Sequence, residues 1–519
     1  MSILHRVSFG FLLLFFILGT TDGSIASIHP SRTNDYTHIQ LLGLNDFHGQ
    51  LDKYQDLSGN KVGGAEYLAA YLKKYKQKNK HTLLVHSGDM VGGSPPISSL
   101  HKNEPTIEYL NLLNIDVGTP GNHEFDEGVH EMQRLIHGEI DGFSGSTTSY
   151  SSANIINKKT GNLLFPPYII KQINGINIGF IGVVTTETTK FLLPQYKEEI
   201  EVIDEVQAIN QTAEVLKKKG ITSIVVLAHI SAQSDKKGGN PHEDLAKMAP
   251  QMDEEVDVIF GGHNHAYANT IVDNKLIVQA YSYGKAFSEV KLTIDRHTKE
   301  IIHKEATIIP TVHHKIKPDQ ETLTLLKKYK KRIAPYMNKI IGKAPKEITR
   351  KQNVNGESPL AKTIAESGRN IMETDIAFYH HGGIRASLNE GIITKEDLYT
   401  TLPFHHRFVR ITLTGEQIKT ALEQQWTKDE ENRLQAVGLT YTWDHTAPIG
   451  SRIITLKDIH GKEIQSKKAY TIAISNYLAS GGDGFTAFTK GKLVEGGPLA
   501  VDALASYLQQ RYPAEVAKY

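Results

Sequence analysis

Between residues 38 and 310 the chain repeatedly gathers branched apolar residues into short runs: Ile39 to Leu44, Thr82 to Val85, Ile176 to Val184, Ser223 to Ala228 and Val256 to Phe260. Runs of that length and composition predict buried strands. Between several of them the period lengthens to that of a helix. Ala65, Leu68, Ala69 and Leu72 share one helical face, as do Val206, Ile209, Ala213 and Leu216. Strands alternating with amphipathic helices predict a layered α/β domain over 36–315. A charged helical stretch from Pro318 to Lys331 then leads through Pro335 and Pro345 into a differently patterned region, which resumes near Ala361 and runs to Tyr519. The expected division is 36–315, a linker helix and hinge over 316–345, and a second domain over 346–519. The length agrees, since a 519-residue chain exceeds the ~250–300 residues at which single cores stop growing.

The amino terminus breaks this pattern. His5 and Arg6 precede an apolar run from Phe9 to Leu18, and polarity returns by Thr20. The run is too short to span a bilayer comfortably. With small residues at Ser24 and Ala26, it predicts a signal peptide over 1–26, cleaved near Ala26, with an uncleaved anchor as the rival reading. A secreted, periplasmic or cell-envelope protein without stable membrane insertion follows as the expectation. No sorting motif is evident in the closing residues Ala514 to Tyr519.

Charge and cysteine content narrow the function. Lys plus Arg number 58 against 57 Asp plus Glu, so nothing argues for electrostatic capture of a nucleic acid polymer or a membrane surface. A small ligand suits this balance better. The chain has no cysteine, which excludes disulfides, a lipobox and thiolate ligation of zinc. Any metal must be held by His, Asp, Asn and water.

Such residues recur where open α/β sheets put their binding groups, beyond the carboxyl ends of strands. Ile39 to Leu44 runs into Asn45-Asp46-Phe47-His48-Gly49, and Thr82 to Val85 into His86-Ser87-Gly88-Asp89. Ile115 to Val117 leads to Gly121-Asn122-His123-Glu124-Phe125-Asp126. Ser223 to Ala228 ends at His229, and Val256 to Phe260 at Gly261-Gly262-His263-Asn264-His265. Taken singly, each block has a bland reading: Asp-x-His and Gly-Asp as ordinary loops, Asn122 as a helix cap with Glu124 and Asp126 favouring the dipole, His229 as a core histidine. Five blocks in order, each at a strand end, favour a metal centre. Imidazole and oxygen ligands suit Zn, Mn, Fe, Co or Mg. Two ions roughly 3.5–4 Å apart can clamp the attacking and leaving oxygens of a phosphoryl displacement. Asp89 is the natural bridge, because it ends a central strand after a glycine that permits close backbone approach.

These blocks resemble those of the 5′-nucleotidase family of calcineurin-like metallophosphoesterases, and the resemblance covers nearly the whole mature chain. It implies a four-layer α/β/β/α domain followed by an α+β substrate-binding domain, with the active site between them and rotation of the second domain carrying ligand in and out. It further implies two divalent ions (Zn, Mn, Co or Fe), one held by Asp46, His48, Asp89 and His265 and the other by Asp89, Asn122, His229 and His263. His123 and Asp126 would form the catalytic dyad. In the second domain, Leu402-Pro403-Phe404 matches the segment of one base-stacking ring. Ser475 to Phe485 matches that of the second ring, Tyr477, and of the ribose-binding acid, Asp483. His381-Gly382-Gly383-Ile384-Arg385 matches a turn whose arginine assists ligand binding, and Lys362 could supply a cation to phosphate. Without the family, Phe404 and Tyr477 read as ordinary aromatics and Gly481 to Gly484 as a turn.

Three departures touch the substrate region. His380 stands where the family commonly has Asn, His405-His406 where Gly-Asn is usual, and Ala361-Lys362 where Gly is followed by Asn or Arg. The expected activity is removal of phosphate from nucleoside 5′-phosphates. Its rivals are a 2′,3′-cyclic-nucleotide phosphodiesterase, a UDP-sugar or dinucleotide pyrophosphatase, and a non-catalytic exported nucleotide-binding protein. The last is disfavoured because Asp89, Asn122 and His123 are all present. A thiosulfate-ester hydrolase is disfavoured because the aromatic pair and Asp483 suit a nucleoside.

Overall fold

The structure, a computed structural model, describes residues 35–514 except 140–141, 193–195, 405 and 428–430. The expected signal peptide and His405 therefore lie outside the described residues.

Two six-stranded sheets build the first domain. One runs Ile301–Pro310, Ala286–Asp295, Tyr36–Leu44, Thr82–Ser87, Val117–Thr119, Ser149–Tyr150. The other runs Tyr267–Val272, Lys275–Ala280, Val256–Phe260, Ser223–His229, Ile176–Val184, Tyr168–Ile173. In each, the central strands are parallel. Their facing surfaces meet in one apolar core, where Ile39, Leu41, Val85 and Val117 oppose Phe180, Val225, Leu227 and Phe260. The outer face of the first sheet is covered by the helices Ala65–Lys76, Glu104–Leu113 and Gln320–Met337. Glu205–Lys218 covers that of the second. Burial on both faces explains why these strands read as continuous apolar runs. The layering is α/β/β/α, as expected from the sequence.

The linker differs from the expectation. Gln320–Met337 is docked on the first domain along the stripe Thr322, Leu326 and Tyr329, all buried. Asp319 caps it by accepting from the Thr322 amide at 2.9 Å. Tyr329 donates to Glu108 at 2.6 Å, and Lys73 pairs with Asp319 at 2.7 Å. The next strand, Ile340–Ala344, pairs with Gly391–Thr394 and so belongs to the second domain. The expected 316–345 connection thus contracts to Asn338 and Lys339, because an i, i+4, i+7 apolar stripe gains more by docking than by spanning solvent.

The second domain is α+β. Its five-stranded sheet runs Leu434–Val437, Ile376–His380, Ala469–Ser475, Arg407–Thr414, Lys492–Leu499. The helices Pro359–Ile371 and Ala500–Arg511 pack on one face. Gly415–Glu423 packs on the other, together with Phe485 and Phe488. Among the described residues no helix is long and apolar enough to cross a membrane.

Candidate active site

Every ligand expected from the sequence sits at the carboxyl end of a central parallel strand, and the two sheets bring these ends together. Ligand atoms of Asp46, His48 and His265 lie within 4.8 Å of one another, as do those of Asp46, Asp89 and His229 and those of His48, Asp89 and His123. His48 Nε2 is 3.1 Å from His265 Nε2 and 3.6 Å from Asp89 Oδ2. His229 Nε2 is 3.2 Å from Asp89 Oδ2 and 3.1 Å from Asn122 Oδ1, which also lies 2.9 Å from His263 Nδ1. Asp46, His48, Asp89 and His229 are buried. Asp46, His48, Asp89, His263 and His265 all take positive φ between 48° and 80°. Side-chain-bearing residues pay for that conformation, and it gathers where function needs it.

This donor set fits a divalent cation. His48 Nδ1 donates to the Gly92 carbonyl at 2.9 Å, and burial lowers the imidazole to about 4 against the opposing pull of Asp89. A neutral ring that donates from Nδ1 has a lone pair on Nε2, and that lone pair faces His265 and Asp89, neither of which is obliged to donate. The carbonyl partner on the far nitrogen is the usual way a ligating imidazole is oriented. His229 is oriented likewise, with Nδ1 at 2.8 Å from the Ser87 carbonyl. Burial also lowers His263 to about 4. Burial disfavours the Asp89 carboxylate, but His229 and His123 outweigh it and hold the group well below its usual range. For His229 burial lowers and Asp89 raises, the net being about 9, so a cation seated there replaces a proton.

His123 stands beside this cluster, its side chain one-third exposed. Its amide donates to Asp89 Oδ1 at 2.9 Å, and its Nδ1 lies 2.9 Å from Asp126 Oδ2. Burial lowers the imidazole, yet Asp126 and Asp89 together push it up to about 10. The ring is then cationic at neutral pH. With Nδ1–H held by Asp126, Nε2–H remains to meet an anion.

Two residues that support the cluster escape a reading of the sequence. Glu124, read there as a dipole-favouring residue, is buried, and its carboxylate accepts from the amides of Asp89 at 3.0 Å, Met90 at 2.8 Å and Gly121 at 2.6 Å. It ties the Asp89 loop to the Asn122 loop. Asn45 donates to Asp46 Oδ2 and to the Tyr281 carbonyl, each at 2.6 Å, and accepts from the Ala280 amide at 3.0 Å. The only sequence signal for either is a polar residue inside a ligand block with no evident ligand role. Gly88 behaves as the sequence suggests: at φ 88°, a Cβ there would sit 2.6 Å from the Gly121 amide nitrogen and 2.8 Å from His229 Nδ1.

In the second domain, Tyr477 donates to Asp483 Oδ1 at 2.6 Å, and the Asp483 amide returns a bond to the phenol oxygen at 3.1 Å. Phe404 is 41% exposed, and the Arg385 guanidinium lies 5.8 Å from its ring centroid. Lys362 is exposed on the first turn of Pro359–Ile371 and makes no ion pair among the described residues. His380 and His406, two of the departures, lie among these rings. His406 stacks on Tyr477 (centroids 5.3 Å apart, planes 6°) and on Phe404 (5.7 Å, 22°), and His380 is 5.0 Å from Tyr477. Arg407 forms an ion pair with Glu127, the neighbour of Asp126, across the two domains.

Residues 39–267 match the calcineurin-like phosphoesterase family, and residues 340–490 match the 5′-nucleotidase C-terminal domain. Endonuclease YhcR of Bacillus subtilis is 37% identical over 90% of this chain, which spans 39% of that protein's length. Cell wall protein Lmo0130 of Listeria monocytogenes is 33% identical, with 92% of this chain and 68% of that protein covered. The crystal structure of a 5′-nucleotidase precursor from Thermus thermophilus superposes with a TM-score of 0.66 at 25% identity, covering 92% of this chain and 97% of that one.

Proposed function

Because the chain belongs to the calcineurin-like phosphoesterases that carry a 5′-nucleotidase C-terminal domain, and is a metal-dependent phosphoester hydrolase, we propose that it is an exported 5′-nucleotidase working with two divalent ions. The observation that carries this reading is the convergence of buried imidazoles, Asp89 and Asn122 beside the His123–Asp126 pair. Asp46, His48, Asp89 and His265 would hold one ion, and Asp89, Asn122, His229 and His263 the other, from among Zn, Mn, Co and Fe. Ions in these positions supply Lewis acidity toward phosphoryl oxygens and acidify water.

The chain's own groups do the rest. His123 donates from Nε2 to a phosphoryl oxygen as charge grows on it in the transition state. Asp126 fixes the orientation of that ring and keeps it protonated. Phe404 and Tyr477 offer flat apolar faces to the base, Asp483 accepts from the ribose hydroxyls, and Arg385 and Lys362 supply positive charge to the phosphate end. Residues 36–315, together with the docked helix Gln320–Met337, form the metal domain, and the residues after Lys339 the substrate domain. Export through residues 1–26 is supported by the likeness to a cell wall protein. A second reading, cleavage of a phosphodiester or pyrophosphate, is favoured by the likeness to a protein named an endonuclease.

The test is phosphate release from AMP, ATP, UDP-glucose, a 2′,3′-cyclic nucleotide and bis(p-nitrophenyl) phosphate, with Mn, Co, Zn or a chelator. Metal-dependent release from AMP supports the nucleotidase reading. Activity confined to the diesters and UDP-glucose transfers the function to the second reading.

A further inference from the structure

Phe404 and Tyr477 do not face each other across an open gap. The His406 imidazole is the near-parallel stacking neighbour of both, 5.3 Å from the Tyr477 centroid and 5.7 Å from that of Phe404. His380, buried and 5.4 Å from His406, closes the same group from within. Tyr477 is fixed on its other contacts. Its hydroxyl is engaged by Asp483 at 2.6 Å, and Gly482 packs so tightly that a Cβ there would fall 2.4 Å from Tyr477 Cε1.

A planar base that stacks on Tyr477 where His406 now lies has to displace that imidazole. We propose that His406 is a specificity-determining residue: its ring competes with the base for Tyr477 and so biases the protein toward phosphoesters with smaller leaving groups than a nucleoside. This rests on the reading of Phe404, Tyr477 and Asp483 as the nucleoside-binding group. The imidazole is the right competitor because it is flat and matches the face it covers, while its short tether at the start of the strand Arg407–Thr414 keeps it at high effective concentration. The base gains its own stacking only after displacing that pair. Because aromatic pairs contribute modestly beyond their buried area, the competition should weaken nucleoside binding by about threefold to tenfold.

The experiment compares wild type with His406→Ala and His406→Phe, using AMP and ribose 5-phosphate, which shares the sugar and phosphate but lacks the base. The ratio of kcat/KM for AMP to that for ribose 5-phosphate should rise about threefold to tenfold in His406→Ala and return toward wild type in His406→Phe, whose ring covers Tyr477 again. An unchanged ratio in His406→Ala overturns the proposal. A ratio that falls overturns it also, by making His406 a stacking partner of the base. Adenosine binding by titration calorimetry, with the metal-loaded protein, provides a readout that does not depend on turnover. The dissociation constant should drop by the same factor in His406→Ala, and a constant that rises or holds refutes the competition. If wild type hydrolyses neither AMP nor ribose 5-phosphate, the nucleotidase reading fails while the adenosine titration still decides the role of His406.

Discussion

Glu124→Gln is the most informative change to the scaffold beneath the metal centre, because it preserves volume and shape and alters only acceptance. One carboxylate oxygen accepts from the amides of Asp89 and Gly121, and the other from that of Met90. An amide side chain must turn its NH2 toward one of these sets, so at least one buried backbone donor loses its acceptor and faces another donor. Hydrogen bonds to a charged group contribute about 1.5 to 3 kcal/mol, and an orphaned buried donor costs a similar amount, so a loss of about 3 kcal/mol is expected. For a domain of this size that corresponds to a fall in Tm of about 6 to 12 °C. The loop carrying Asp89 would also shift, and supporting residues of this kind typically change metal affinity by about 10- to 100-fold. The assay is calorimetric melting with and without Mn, plus Mn titration. It should be made above the titration of Glu124, whose carboxyl burial and Asp89 push up to about 7. A variant that melts within about 1 °C of wild type and binds Mn equally well would refute the claim that Glu124 holds the two ligand loops together.

Three further outcomes are expected. Dialysis against a chelator should lower Tm, and restoring Mn or Zn at about a hundredfold excess over its dissociation constant should return about 2.7 kcal/mol of stability; a Tm indifferent to both ions would contradict a metal site here. Burial raises Asp257 to about 6 despite its ion pair with Lys304 at 2.8 Å. A carboxyl raised in the folded state contributes stability that is present near its unfolded value of 3.8 and lost as pH climbs through about 6. Urea unfolding should therefore show wild type losing stability relative to Asp257→Asn across that interval, and parallel curves would count against it. Gly482→Ala should raise KM for AMP more than it lowers kcat, since the new methyl displaces the Tyr477 ring; equal kinetics would mean that ring is not used.

How much was legible in the sequence depended on the range of the interactions. The strands could be read because parallel strands buried on both faces carry runs of branched apolar residues, as Ile224 to Ala228 and Val258 to Phe260 do. The candidate ligands could be read because each follows its strand immediately in sequence. Glu124 could not, since its partner Asp89 lies 35 residues away, and Asn45 meets Ala280 across 235. Bonds between loops that only the folded sheets bring together leave no local spacing to detect. The docked helix shows the opposite failure: the stripe Thr322, Leu326, Tyr329 was present in the sequence, but its charged neighbours made it read as a spacer. His380 and His406 stood out as departures from a family pattern, while the stacking of His406 on Tyr477 and the tilted approach of His380 to the same ring depend on the fold.

The most direct test of the phosphoesterase centre is steady-state hydrolysis of AMP by Mn-loaded wild type and His123→Ala. His123 is held by Asp126 at 2.9 Å and kept cationic, with its remaining N–H available for a transition-state oxygen. Removal of such a donor typically lowers kcat by about 10²- to 10³-fold, and KM should change little because the group acts mainly in the transition state. That pattern, with activity abolished by chelator in both proteins, is the expected result. A variant with wild-type kcat, or AMP hydrolysis that survives the chelator, would contradict it.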